Sequence, residues 1–304
     1  MSAADPAWAA AGPRLDEQPA ARLLVSMYGD YWFGSTEYVP SRSLVALLGE
    51  LGVAETATRA ALSRLARRGC LEGRKQGRHT AYRFTTPSRT RVMWVRRALL
   101  RFGSAPRDWD GQWTCVAFSV PEADRHLRPA LRRRLRGLRL GPLFDGLWIT
   151  AAAPLAAIEQ SLAELAVTDA AVFRAREVPL AAGVDLLSAW DLAGLRAGYD
   201  DLVRGLEGLR GQIRRGRLSR DDAVVARATV MVRWRMLVRS DPRLPDELLP
   251  RDWPLRRAQR AVVAAYDALA PLSQDRARAL VGTDAGGPAT PRVRSVAEVL
   301  ADHA

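Results

Sequence analysis

The sequence predicts an α+β protein in three parts, and three observations carry that prediction. Between Ser41 and Phe84, two short amphipathic helical patterns separated by a glycine turn lead into two strand-like runs over a cationic tip, the order of a winged helix-turn-helix. Between Trp109 and Val178, strand and helix patterns alternate as βαββαβ, the split order of a ferredoxin-like domain. From Asp185 onward apolar residues keep helical spacing, so the C-terminal part is expected to be all-helical. The expected boundaries are a disordered arm over 1–20, the winged domain over 21–87, a linker helix over 88–108, the ferredoxin-like domain over 109–180, the helical domain over 181–280 and a disordered tail over 281–304.

Taken in order, the arm is rich in Ala and Pro with weak patterning. Ala21–Gly29 forms an apolar helix that packs beneath the helix-turn-helix and ends over Asp30–Gly34, and Tyr38–Pro40 is a candidate third strand. In the next helix Leu44, Leu47, Leu48 and Leu51 share a face, with Ser41 at the capping position. Gly52 breaks that pattern. A second helix is expected from Ala54 to Arg68, stopped by Gly69. Thr58, Ala61, Leu62 and Leu65 form its buried face, while Thr56, Arg59, Ser63, Arg64 and Arg67 lie opposite. Cys70–Arg74 and His79–Phe84 are the ribbon strands, joined through Lys75, Gln76, Gly77 and Arg78.

This stretch has the sign that a phosphate surface requires. Residues 54–83 hold eight Lys/Arg against two Glu, a local charge of +6 (8 − 2). A reader helix needs donors in its N-terminal half, so Thr56, Arg59, Ala60 and Ser63 are the base-edge candidates, with Arg59 suited to a bidentate bond to guanine. Arg64, Arg67, Arg74, Lys75, Arg78 and His79 suit phosphate contacts, as do Ser41 and Arg42 at the start of the first helix. The bland alternative is a solvated basic face on an ordinary helix pair; the ordered co-occurrence of turn, stop signals and basic wing argues against it.

After Pro87, residues 88–102 form a linker helix with Val92, Val95, Leu99 and Phe102 on one side and five Arg around the rest. Such a helix either transmits a signal or acts as a spacer, and its composition fits both. In the middle part, Trp113–Val120 is a buried-type strand and Asp124–Leu140 a helix with Leu127, Leu131, Leu135 and Leu138 on one face and seven Arg on the other. Those Arg are open to two readings: a binding surface for phosphates of DNA or a ligand, or a solvated face satisfied by acidic groups on a partner domain. A strand–turn–strand over Gly141–Thr150, a helix from Pro154 to Ala166 and a strand from Ala170 to Glu177 complete the unit. The C-terminal helices are expected over Asp185–Gly211, from a Ser219 cap to Arg239, and over Leu255–Leu269.

The whole chain bounds these readings. It carries a formal charge of +13, favouring polyanionic partners, and 45 of its 46 basic residues are Arg. Two cysteines, Cys70 and Cys115, lie far apart with no Cys/His cluster, which fits a reducing compartment and argues against structural zinc. No apolar run reaches the ~18 residues that span a bilayer, and the N-terminus has no secretory pattern, so the expected location is the cytoplasm without membrane association. His79, His126 and His303 form no triad or metal spacing, and no GxSxG, Walker loop or GxGxxG is present, so no catalytic residue and no metal is expected. A metal-dependent nuclease, the enzymatic rival that a small ferredoxin-like domain raises, has only Asp110 and Glu122 flanking the first strand to offer.

Several segments, in order and spacing, resemble the phenylacetate-degradation repressor (PaaX) family: Leu24–Tyr31, Thr58–Leu71, Gly77–Phe84, Trp109–Val116, Gly141–Thr150, Ala189–Leu192 and Asp241–Pro254, together covering residues 22 to 270. The resemblance implies a homodimeric repressor on a partly palindromic double-stranded operator, released by an aryl-acyl-CoA such as phenylacetyl-CoA or another acyl-CoA as effector, with no resident cofactor. Ala54 departs from the family's Ser-type cap, and Leu255 from its Gly. Trp109, Trp148, Trp190, Trp234 and Trp253, with neighbouring Arg, are candidates to line an acyl slot; a core role for a buried Trp competes, so none is assigned as a binding residue. The competing reading is a winged-helix DNA-binding protein without an effector, its middle domain serving dimerisation.

Overall fold

The computed structural model describes residues 14–77, 79–152, 154–177, 183–282 and 290–302. It is α+β, with two small antiparallel sheets, and divides into two compact units. The first is built from the described residues within Met1–Ser104, Tyr199–Val238 and Leu255–Ala304, the second from Ala105–Gly198 and Arg239–Pro254.

The first unit starts with α1 (Ala20–Tyr31), whose Leu23, Leu24, Met27, Tyr28 and Tyr31 are buried. Residues 1–13 of the expected arm lie outside the described residues, but its end is ordered, since Leu15 belongs to the same apolar core. After β1 (Val39–Pro40) come α2 (Ser41–Gly49), α3 (Glu55–Arg67), β2 (Leu71–Gln76) and β3 (His79–Phe84), with strand order β1-β3-β2. Ser41 does not cap α2. Pro40 holds the cap position, and Ser41 is the first helical residue, buried and without a capping bond. Gly52, at φ +78°, makes the turn between α2 and α3. α3 ends in a Schellman motif: with Gly69 at φ +67°, the Gly69 N–H donates to Ala66 O and the Cys70 N–H to Leu65 O, each at 2.9 Å.

Helix α4 (Thr86–Arg101) follows directly. Arg96 was expected among the solvated arginines of this helix, yet it is buried together with Met93, Leu99 and Leu100. The reason is a carboxylate: Asp30 of α1 accepts from Arg96 at 2.5 Å and from Arg227 at 3.0 and 3.1 Å. Arg227 lies on α8 (Arg220–Ser240), and Tyr266 of α9 (Leu255–Val281) donates its hydroxyl to the same carboxylate. The Arg227 guanidinium also lies 3.5 Å from the centroid of the Tyr266 ring. Asp30, Arg96 and Arg227 are 4%, 7% and 1% exposed.

Helices α8 and α9, within the residues 181–280 expected to form a helical domain, bury Trp234, Val262 and Leu269 and also lend residues to the core around α1. Val224, Ala228, Val232, Ala277 and Val281 share one apolar cluster with Leu23, Leu44, Leu62 and Phe84. The last core helix was expected to end at Leu269; α9 instead continues through Pro271 to Val281, its buried stripe carried on by Ser273 and Ala277. The tail is not wholly disordered either. Residues 283–289, 303 and 304 lie outside the described residues, but α10 (Val296–Ala301) is a helix with a capping box between Ser295 and Glu298.

In the second unit β4 (Trp113–Phe118), β5 (Gly141–Phe144), β6 (Leu147–Thr150) and β7 (Ala170–Ala175) form an antiparallel sheet in the order β5-β6-β4-β7. A 3-10 turn (Glu122–Leu127) leads into α5 (Arg128–Gly137), so the expected helix from Asp124 is shorter, and α6 (Leu155–Glu164) precedes β7. Alternation along β4 separates two layers. Val116 joins Leu131, Leu135, Trp148 and Ile158, whereas Trp113 and Cys115 join Ile149, Leu244, Trp109 and Trp190. Helix α7 (Leu192–Arg214) precedes α8, whose cap is Ser219 as expected: its hydroxyl accepts from the Asp222 N–H at 3.0 Å.

The ionic cluster generates a prediction. Burial alone would raise the Asp30 carboxyl, but Arg227 and Arg96 together with their hydrogen bonds hold it below its ordinary value. A depressed carboxyl contributes stability that is present above its unfolded value of about 4 and lost as pH falls through the folded value. Asp30→Ala, which leaves two buried cations unpaired, is expected to cost about 3–5 kcal/mol at neutral pH. Urea unfolding should show that loss, and the variant's stability should respond less to acid than the parent's.

Candidate nucleic-acid interface

Helix α3 divides cleanly into two faces. Thr58, Ala61, Leu62 and Leu65 are buried against α1 and α2, as their spacing predicted. Thr56, Arg59, Ala60, Ser63, Arg64 and Arg67 are all exposed. A helix with one fully buried stripe has only one way to face solvent, so this polar face is fixed by the apolar one. The rest of the expected surface adjoins it. Arg74, Lys75 and His79 are exposed on the hairpin, and Arg42 is exposed on α2. Arg78 lies outside the described residues. Ser41 is buried and borders a small cleft shared with Arg59 and His79, so its hydroxyl is not displayed beside Arg42.

The hairpin is held in a defined register. Leu71 pairs with Phe84 through to Gln76 with His79, and Gly77 at φ +58° makes the turn. Across the strands Arg83 donates to Glu72 at 2.5 Å, and this pairing raises the Arg83 value. Tyr38 lies against both Arg83 and Arg74, whose guanidinium carbons are 4.6 and 6.0 Å from its ring centroid. That role leaves no mark in the sequence, where Tyr38 is legible only as a strand residue before a proline. From below, Tyr28 of α1 donates its hydroxyl to the Tyr82 carbonyl at 3.1 Å.

Arg59, the leading base-edge candidate, donates to Glu55 one turn earlier at 2.6 Å. Both side chains are more than half exposed, so this pair contributes little to stability and a stronger acceptor displaces it readily. Glu55 also places an anion in the first turn of α3, where no side chain caps the helix.

The second arginine-rich face is largely occupied. On and around α5, Arg125 and Arg128 pair with Glu122 at 3.2 and 3.6 Å, Arg134 pairs with Glu164 at 2.6 Å, and Arg132 pairs with Asp145. Arg136 lies over Trp148, and Arg139 donates to the carbonyls of Arg239 and Asp241. The matching acids lie in the same unit as these arginines, not on a partner domain. Asp110, one of the two carboxylates a nuclease would need, accepts from the Gln112 N–H at 3.0 Å and pairs with Arg174 at 2.8 Å, and these bonds hold it below the usual carboxylate range. Among the described residues no group of three or more His, Cys, Asp and Glu is placed to hold a metal ion, and no helix is long and apolar enough to cross a membrane. Of the tryptophans named for an acyl slot, Trp148 and Trp234 are fully buried, Trp109 meets Trp113 edge to face and Trp190 stacks on it.

Three family models match consecutive stretches of the chain. One is described as PaaX-like protein, over residues 20–87, the next as the PaaX protein central Cas2-like domain, over 106–186, and the last as the PaaX-like protein C-terminal domain, over 190–279. The transcriptional repressor PaaX of Escherichia coli (strain K12) is 27% identical over 257 residues, which cover 82% of this chain and 80% of that protein. Among solved structures, the uncharacterized protein Rv0674 from Mycobacterium tuberculosis matches with a TM-score of 0.54 at 23% identity, covering 86% of this chain and 98% of that one. At that identity the likeness speaks for the fold alone.

The start of α3 generates the prediction of this section. Ala54 holds the cap position at φ −59° and ψ 144°, and its carbonyl already accepts the first helical bond from Thr58 at 3.0 Å. Only the side-chain acceptor is missing. Ala54→Ser is expected to stabilise the protein by about 0.5–2 kcal/mol, read as a higher urea midpoint with an unchanged slope.

Proposed function

Because the chain belongs to the PaaX family of transcriptional regulators, and is therefore a regulator and not an enzyme, we propose that it represses an aromatic-acid catabolic operon of the phenylacetate type by binding double-stranded operator DNA. The observation that carries this reading is the polar face of α3, with Thr56, Arg59, Ala60 and Ser63 displayed beside the cationic hairpin. The helix order, the β1-β3-β2 sheet and that hairpin support a winged helix-turn-helix with α3 as the helix that enters the major groove. The order β5-β6-β4-β7 supports a ferredoxin-like middle domain. Arg64, Arg67, Arg74, Lys75, Arg78, His79 and Arg42 are assigned to phosphates, and Arg59 to a guanine edge. The same reading makes the protein a cytoplasmic homodimer on a partly palindromic site, released by an aryl-acyl-CoA with phenylacetyl-CoA as the first compound to test.

Fluorescence anisotropy with the protein's own promoter, at several salt concentrations, tests it. Arg59→Ala is expected to lose about 1–3 kcal/mol on the native site and to relax discrimination at one base pair. Arg74→Ala and Lys75→Ala should each weaken binding to every sequence and lower the salt slope by about 1. Equal affinity for the promoter and for random fragments at physiological ionic strength would overturn the assignment. Release of bound promoter by phenylacetyl-CoA supports the effector; indifference to every aryl- and acyl-CoA leaves a winged-helix repressor without one.

A further inference from the structure

The first unit contains a half-open cavity of about 400 Å³ bordered by α1, α4 and α8 and by the C-terminal end of α3. Its walls are apolar: Val25, Leu65, Phe84, Val92, Leu99 and Met231. It also has four cationic residues, Arg22, Arg91, Arg96 and Arg235, and no Asp or Glu among its lining residues. Arg22 and Arg91 are exposed and carry no acidic partner among the described residues, in contrast to the paired arginines of α5. Arg235 donates to Ser26 Oγ at 3.0 Å across the cavity wall. Arg96 is buried, donates to Asp30 through Nη2, and keeps an Nε–H with no hydrogen-bond partner.

Its size falls within the range of small-molecule sites, roughly 300–1,000 Å³. An apolar interior beside two cations without an acidic partner, Arg22 and Arg91, selects a ligand with an apolar body and an anionic group. Neutral hydrocarbons would leave the guanidinium groups unused, and polyanions without an apolar body would leave the interior exposed. We infer that this cavity binds such an amphipathic anion, an aryl or acyl carboxylate derivative, and that its occupancy is transmitted to α3.

The coupling is built into the wall. Leu65 and Cys70, which carry the two ends of a Schellman bond, both line the cavity. The Cys70 carbonyl accepts from the Thr85 N–H at 3.2 Å, and the Thr85 hydroxyl donates to the Gly69 carbonyl at 2.9 Å. The end of α3 is thus bonded to the start of α4, and α4 supplies the opposite side of the cavity through Val92, Val95 and Leu99. A ligand that fits better when these two helices are spread favours a conformer in which the polar face of α3 no longer matches the groove. The regulatory half of this inference rests on the DNA-binding reading above; the binding half does not.

Cys70 serves as a reporter, since it is partly exposed and lines the cavity, while Cys115 in the second unit is buried and serves as the control. Alkylation of the full-length protein by iodoacetamide, followed at each cysteine by mass spectrometry, is measured with phenylacetyl-CoA or phenylacetate and in parallel with promoter release. Saturating ligand is expected to slow alkylation of Cys70 and leave Cys115 unchanged. Arg22→Ala/Arg91→Ala and the cavity-filling Val95→Trp, at a position 37% exposed, should bind the promoter like the parent and require about tenfold or more ligand for both effects. Release without protection of Cys70 overturns the cavity and leaves the effector standing. Protection without release leaves the cavity as a binding site and overturns its coupling to α3. The absence of both overturns the inference whatever the promoter affinity.

Discussion

Two guanidinium groups held away from water remain charged only if an anion goes with them, and in the first unit that anion is Asp30. Its carboxylate gathers Arg96, Arg227 and the Tyr266 hydroxyl from positions 66, 197 and 236 residues away in the chain. The cost of removing these charges from water cancels much of their attraction, so the cluster is a weak source of stability and a strong source of specificity. An apolar residue at position 30 accepts many neighbours. A carboxylate there accepts only an arrangement that brings both arginines to it, which ties α1, α4, α8 and α9 to one mutual placement. Burial also pushes the Tyr266 hydroxyl up to about 12, which keeps it protonated and able to donate.

From that placement the display of α3 follows. α1 is the floor on which α3 lies, and Tyr28 on the same helix reaches the hairpin through the Tyr82 carbonyl. One residue beyond Tyr28, Gly29 lets α4 approach closely: a Cβ there would lie 2.8 Å from Val92 Cγ1. A single helix therefore positions the polar face of α3, the ribbon and α4. The apolar stripe of α3 decides which side faces outward, and α1 decides where that side sits.

Local patterns made much of this legible. The faces of α3, the Gly69 stop and the Ser219 cap all depend on neighbours within a few residues, and periodicity and capping chemistry describe such neighbours well, whereas Lys75 and Gln76, expected in the hairpin turn, extend β2. Errors arose where distant residues set the outcome. Arg96 looked like solvent-facing charge because its partner lies 66 residues earlier. The helix expected to end at Leu269 runs on because Ala277 and Val281 pack against residues far away in the chain. The tail around Ser295 was dismissed on composition although its capping box was visible in the sequence, and Val296 and Val299 bury on one side of it. Phosphate-binding candidates on the hairpin and α3 were legible from charge. The apolar cavity was not, since its lining comes from five separate elements.

The arginines show why net charge alone does not define a binding surface. Arg96 and Arg227 are structural, Arg132 and Arg134 are matched by nearby acids, and only cations free to exchange counterions for phosphates contribute to a DNA footprint. The bonds along the helix after the ribbon set it apart from a bare spacer. A spacer needs attachment at its ends and nothing between. α4 is bonded to the end of α3 through Thr85, to the ionic cluster through Arg96, and to α8 and α9 through the Leu99 and Leu100 carbonyls, which accept from Trp234 at 2.8 Å and Gln259 at 3.0 Å. A helix held along its whole length cannot move without moving what it holds, so any displacement of α4 reaches the end of the helix that displays Thr56 and Arg59.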